Sequence, residues 1–207
     1  MEALKLNRFD RIAPFYDKIA GLVFGNSLIK AQECNLETIT GYSNVLVLGG
    51  GTGKWLTKLL KLNSSCTVWY VEASKEMIGQ AKKNLDFTDR IIFIHGTHEN
   101  MPQQKFDVVI THFFVDMFTE PELESITQQI HNHLKSGGSW VVADFVNNKY
   151  WHGVLLKLMY LFFNWVGALD LKVLPNWDRI IQSEYFERTR LSSFYKGFVN
   201  TVTYIRS

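Results

Sequence analysis

Val45-Leu-Val-Leu-Gly49-Gly50-Gly51-Thr52-Gly53-Lys54 decides how this chain is read. Four apolar residues run into a loop with glycine at 49, 51 and 53. An apolar run without polar alternation is the mark of a strand buried on both faces. Glycine at its end lets the chain turn tightly and lets a ligand approach the backbone, which any side chain would block. Beyond the loop, Trp55, Leu56, Leu59 and Leu60 fall on one face of a helix. The start of that helix would aim free N–H groups and a positive end at the loop, favouring a carboxylate or phosphate.

The same strand-then-helix pattern continues downstream. Thr67–Val71 predicts a second strand, and Ser74 is placed to cap a helix that buries Met77, Ile78, Ala81 and Leu85. Ile91–Ile94 and Phe106–Ile110 read as strands three and four. Thr119-Glu-Pro-Glu122 reads as a capping box with proline in the first turn, and Leu123, Ile126, Ile130 and Leu134 form the stripe behind it. Gly137-Gly138 is expected to end this helix before strand five, Trp140–Ala143. Strands alternating with helices imply a parallel sheet covered on both faces, an α/β doubly wound domain. A helical stretch over about 150–170, a turn at Pro175-Asn176, a polar helix to about Phe186 and a last strand over Phe198–Ile205 complete the chain.

Three readings of such a glycine loop compete before any resemblance is considered. A P-loop requires GxxxxGK[ST], but Lys54 is followed by Trp55 and Leu48 stands where the first glycine belongs. The dinucleotide fingerprint GxGxxG needs a small residue where this chain has Lys54. A turn without any ligand is the third reading, disfavoured because spaced glycines are costly in chain entropy. Glu72 closes strand two, 19 residues after Gly53. An acidic side chain there is placed to accept both hydroxyls of a ribose.

Over residues 40–145 the chain resembles the class I S-adenosylmethionine-dependent methyltransferases. The resemblance implies a doubly wound, mostly parallel Rossmann-like sheet of about seven strands with helices on both faces. It also implies S-adenosyl-L-methionine as cofactor. The loop Gly49, Gly50, Gly51 and Gly53 would then wrap the methionine part and Glu72 would hold the ribose. Ala73 and Met77 would lie against the adenine, with Thr97 and His98, from Gly96-Thr-His-Glu-Asn-Met-Pro102, at its edge. Thr111 would lead into the active site. The opening Phe9-Asp-Arg-Ile-Ala-Pro-Phe-Tyr-Asp17 resembles the quinone-biosynthesis C-methyltransferase branch and places Tyr16 near the cofactor. The chain departs from the family pattern at Val47 and Thr97, where aspartates are usual. Each loss removes a polar contact.

Composition bounds the remaining possibilities. At 207 residues the chain is expected to be a single domain, with a helical cap over 1–40, a cofactor-binding core over 41–145 and lid helices with final strands over 146–207. Residues 31–171 carry 11 Lys/Arg against 14 Asp/Glu, a poor partner for phosphate backbones, so nucleic-acid binding is disfavoured. Cys34 and Cys66 form no CxxC and read as thiols in a reducing, cytoplasmic setting. The first residues lack the apolar core of a signal peptide. Trp151–Leu169 carries one charge, Lys157, but Tyr160 and Trp165 sit inside it instead of at its ends, which favours a buried or lid helix over a membrane contact. Its aromatic residues, Tyr150 to Trp165, suit core packing, a homodimer contact or a wall for an apolar or aromatic small-molecule acceptor.

Methyl displacement from a sulfonium needs no acid for the leaving group, so no fixed catalytic motif is expected. His112 and Asp144 follow strands four and five, where open α/β sheets bind ligands, and are the catalytic candidates. His112 is the better base, since an ordinary histidine titrates near neutrality. No His, Cys, Asp or Glu set has metal-ligand spacing, and no metal is expected. Two other readings stay open: an NAD(P)-dependent oxidoreductase and a non-catalytic nucleotide-binding module.

Overall fold

The computed structural model describes residues 21–39, 41–85, 88–165, 173–182 and 185–207. Seven strands form one sheet: β1 (Asn44–Leu48), β2 (Thr67–Glu72), β3 (Ile91–His95), β4 (Phe106–His112), β5 (Leu134–Phe145), β6 (Phe186–Phe194) and β7 (Val199–Arg206). Their order is β3-β2-β1-β4-β5-β7-β6. The first five pair in parallel, while β7 runs antiparallel to β5 and to β6. This is the doubly wound, mostly parallel sheet that the alternation of elements predicts.

Strand β1 shows why the core forms on both faces. Val45 and Val47 enter one apolar cluster, with Leu56 and Leu59 of α2 (Leu56–Leu62) and Ala81 of α3 (Lys75–Asn84). Leu46 and Leu48 enter the opposite cluster, with Leu123, Ile126 and Ile130 of α4 (Glu120–His133). Successive side chains of a strand point to opposite faces, so an all-apolar run needs a helix layer on each side. The capping expectations hold: the Ser74 hydroxyl accepts the Met77 N–H at 3.1 Å, and the Thr119 N–H donates to the Glu122 carboxylate at 2.8 Å.

Three boundaries differ from the sequence reading. Helix α4 ends at His133, ahead of the glycines, and β5 begins at Leu134. The register jumps from Phe106↔Leu134 to Val108↔Ser139, so Gly137, at φ 69°, sits in an irregularity of the strand and not at a helix cap. The polar helix expected to reach Phe186 is the short α6 (Trp177–Ile181), followed by β6. Six of the nine β6 side chains are exposed, because it is the sheet edge, so it lacks the apolar signal of the other strands.

A third apolar cluster closes the end of the sheet beyond β5. It joins Leu28 and Ala31 of α1 (Ser27–Glu33), Phe145, Phe198 and Val199, and Leu156 and Tyr160 of α5 (Tyr150–Trp165). The opposite side of α5 shows Tyr150, Val154, Leu158 and Leu161 to the surface. Among the described residues no helix is long and apolar enough to cross a membrane.

Candidate functional site

In the order β3-β2-β1-β4, chain progression reverses between β1 and β4. Open α/β sheets bind ligands in the crevice at such a switch, outside the carboxyl ends of the strands. The glycine loop leaves β1 there, Glu72 ends β2 there, and His112 ends β4 there.

Gly49, Gly51 and Gly53 have φ of 66°, 64° and 68°, the left-handed region that side chains resist. A Cβ on Gly49 would stand 2.6 Å from the Phe114 ring, and one on Gly50 would stand 2.1 Å from the Tyr70 ring. A Cβ on Gly51 would meet nothing within 4 Å, so its lack of a side chain is explained by φ and by the space in front of it. The Tyr70 hydroxyl donates to the Gly51 carbonyl at 2.7 Å, and the Asn84 amide donates to the Thr52 carbonyl at 2.9 Å.

Glu72 is buried, and its carboxylate bridges two backbone segments. One oxygen accepts the Gly51 N–H at 2.9 Å and the other accepts the Ser74 N–H at 2.9 Å. Its carbonyl accepts the Gly96 N–H at 3.0 Å. The acidic residue therefore links the glycine loop, the start of α3 and the segment after β3. A carboxylate can accept about four hydrogen bonds, so these two N–H contacts are compatible with ribose hydroxyls.

Around this centre the expected residues fall as follows. Met77 is buried and Ala73 half-buried at the head of α3. Thr97 and His98 lie half-buried after β3, where the Thr97 hydroxyl accepts the Glu99 N–H and His98 meets the Phe118 ring edge-on at 5.5 Å. Val47 is buried among apolar residues and offers the site no polar group. Tyr16 lies outside the described residues.

Three expectations change. The Thr111 hydroxyl accepts the Trp140 indole N–H at 3.0 Å inside the core, so its side chain has a structural occupation. His112 is buried against Trp55, with ring centroids 4.5 Å apart, and neither ring nitrogen has a hydrogen-bond partner. Burial pushes its imidazole down to about 3, far from the neutral range that the base reading assumes. Asp144 is fully buried, and one of its oxygens accepts the N–H groups of Phe114, Val115 and Asp116 at 3.0, 2.9 and 3.2 Å. Its other oxygen accepts the Phe145 N–H at 2.8 Å. Asp144 thus anchors the turn after β4.

Sequence reasoning missed Tyr70, Phe114 and Asp116. The first is hidden in an apolar strand pattern. The others owe their positions to the turn at Val115–Met117, which Asp144 holds from another strand.

Residues 45–138 match a family described as "Methyltransferase domain". An uncharacterized methyltransferase from Synechocystis sp. is 30% identical over 90 residues, covering 42% of this chain and 41% of that protein. The chain spans about two fifths of the length of the curated relatives it matches. Among solved structures, a putative methyltransferase from Haloferax volcanii, in complex with the Trm112 activator, superposes with TM-score 0.73 at 14% identity. That match covers 96% of this chain and 97% of that one. Human N-acetylserotonin methyltransferase in complex with SAM gives 0.66 at 16% identity, covering 100% of this chain and 57% of that one. At such identities the superpositions speak for the fold alone. The match over 45–138 thus lays a methyltransferase-domain pattern over strand β1, the glycine loop, Glu72 and His112, within a fold shared with these methyltransferase structures.

Proposed function

We propose that this chain binds S-adenosyl-L-methionine at the β1–β4 crevice and serves methyl transfer to a small apolar or aromatic acceptor. The observation that carries the reading is the Glu72–Gly51 contact beneath a loop whose central glycine faces open space. In this reading Gly49, Gly50, Gly51 and Gly53 hold the methionine part through backbone groups. Glu72 accepts the ribose hydroxyls, Ala73 and Met77 pack on the adenine, and Thr97 and His98 line its edge. When bound, the cofactor supplies a methyl group activated by positively charged sulfur. The protein's task is to orient and desolvate that methyl, for which Phe114 and Phe118, 4.9 Å apart between centroids, supply apolar cover.

Helix α2 has only seven residues, so anion binding by its N-terminus contributes less than the loop and Glu72. The buried Val47 removes one polar contact, which lowers cofactor affinity without changing where it binds. Calorimetry with S-adenosylhomocysteine and with NAD tests the proposal. Binding of the former alone is expected. Binding of NAD alone would overturn it in favour of the oxidoreductase reading.

A further inference from the structure

The exposed side of α5 is apolar where a surface helix is ordinarily polar. Tyr150, Val154, Leu158 and Leu161 follow at steps of four, four and three, which sets them on one face. Leu158 is 59% exposed and Leu161 is 66% exposed, while Leu156 and Tyr160 bury the opposite face in the third apolar cluster. Lys157 borders the open stripe and is exposed as well.

Neighbouring segments extend this surface. The ammonium of Lys149, just before α5, donates to the Lys196 carbonyl at 2.9 Å in the turn between β6 and β7. The Tyr195 hydroxyl of that turn donates to the Val23 carbonyl at 3.1 Å, and Leu22 beside it is 88% exposed. A groove of about 450 Å³ lies at the start of α5, walled by Lys149 and Lys157 together with Tyr150 and Val154. Residues 21–32, 145–165 and 191–200 contain no Asp or Glu, and they carry Lys30, Lys149, Lys157 and Lys196. Among the described residues none of these lysines is in an ion pair. The surface is therefore apolar and purely cationic.

A second copy packed on this face about a two-fold axis would set the lysines against their own copies, with no carboxylate to pair them. An anionic phospholipid surface supplies both missing partners, acyl chains for the leucines and phosphates for the lysines. We propose that this face docks on an anionic phospholipid surface, with α5 lying along the interface. Leu158 and Leu161 enter the acyl boundary, and Tyr150 sits at headgroup level with its ring in lipid and its hydroxyl in water. Lys149 and Lys157 reach the phosphates from the two sides of the groove, their stems lying along the apolar stripe. Val199 pairs with Phe145, so the face lies at the carboxyl end of the parallel strands, the end at which the crevice opens. The proposal does not depend on which cofactor that crevice holds.

Flotation of the purified protein with lipid vesicles tests it. Wild type is expected to float with vesicles of equal parts phosphatidylglycerol and phosphatidylcholine, and to stay behind with phosphatidylcholine alone. Lys157→Gln should weaken binding to the mixed vesicles about fivefold, the worth of one lysine near an anionic surface. Leu158→Ser with Leu161→Ser should abolish flotation and leave the circular dichroism spectrum unchanged, since both side chains are exposed. Wild type that stays behind with both vesicles overturns the proposal, and a dimer by light scattering would then assign the face to a second copy. A folded serine pair that floats like wild type overturns the role of the stripe. Equal flotation with both vesicles, or Lys157→Gln bound as tightly as wild type, overturns the contact with anionic headgroups.

Discussion

The Tyr70 hydroxyl donates to the Gly51 carbonyl at 2.7 Å, while its ring occupies the space that a side chain on Gly50 would need. A single strand residue therefore sets the height of the glycine loop above the sheet. Tyr70→Phe keeps the ring and removes the hydrogen bond. Stability should fall by about 0.5–1.5 kcal/mol, the net value of one such bond, with a several-fold loss in S-adenosylhomocysteine affinity. Urea unfolding beside calorimetry measures both, and unchanged affinity would detach Tyr70 from the site.

The glycines of the loop should separate into two kinds. A valine at Gly51 meets only its own φ of 64°, a strain of about 1–2 kcal/mol, and projects into the crevice. Gly51→Val should stay folded and lose binding. A side chain at Gly50 collides with Tyr70, so Gly50→Val should lose both. Melting curves with and without S-adenosylhomocysteine distinguish them, and a Gly51→Val protein stabilised normally by ligand contradicts the account.

His112 makes a pH-dependent prediction. Its folded pKa, about 3, lies below the ordinary 6.5. Between these values the unfolded chain binds a proton that the folded chain does not, so stability rises with pH there and is lost as pH falls below about 6.5. His112→Leu removes the two unpartnered nitrogens and this titration. The variant should be more stable than wild type at pH 7.5, by about 1–2 kcal/mol, with a larger gain at pH 5. Urea titrations at the two pH values read the difference directly. A gain that shrinks toward pH 5 would mean that the imidazole is charged in the folded protein.

How much of this was legible in the sequence depends on where each residue's neighbours come from. Strand β1 was readable to its ends because burial on both faces leaves an unbroken apolar run, and the loop was readable because positive φ selects glycine. Ser74 and Thr119 cap through residues three positions away, so local pattern found them. Strand β6 was not legible, because an edge strand with Glu187, Arg188 and Arg190 exposed carries no apolar rhythm. Asp116 was not legible either. Its N–H is held by Asp144, 28 residues along the chain, and no local pattern encodes that meeting. His112 was found by position but misjudged in chemistry, because the Trp55 ring that buries it comes from the far side of the glycine loop. The aromatic pair Phe163 and Trp165, read as part of a lid or acceptor wall, lies outside the described side chains.

Calorimetry of S-adenosylhomocysteine with wild type and Glu72→Gln tests the central claim most directly. Glutamine keeps the length of the side chain but gives up the charge and one of the two acceptor oxygens that meet Gly51 and Ser74. The account predicts clear binding by wild type and a loss of about 1–3 kcal/mol in the variant, the size of a charge-assisted contact. Equal affinity in two folded proteins, or no binding by wild type, would contradict it.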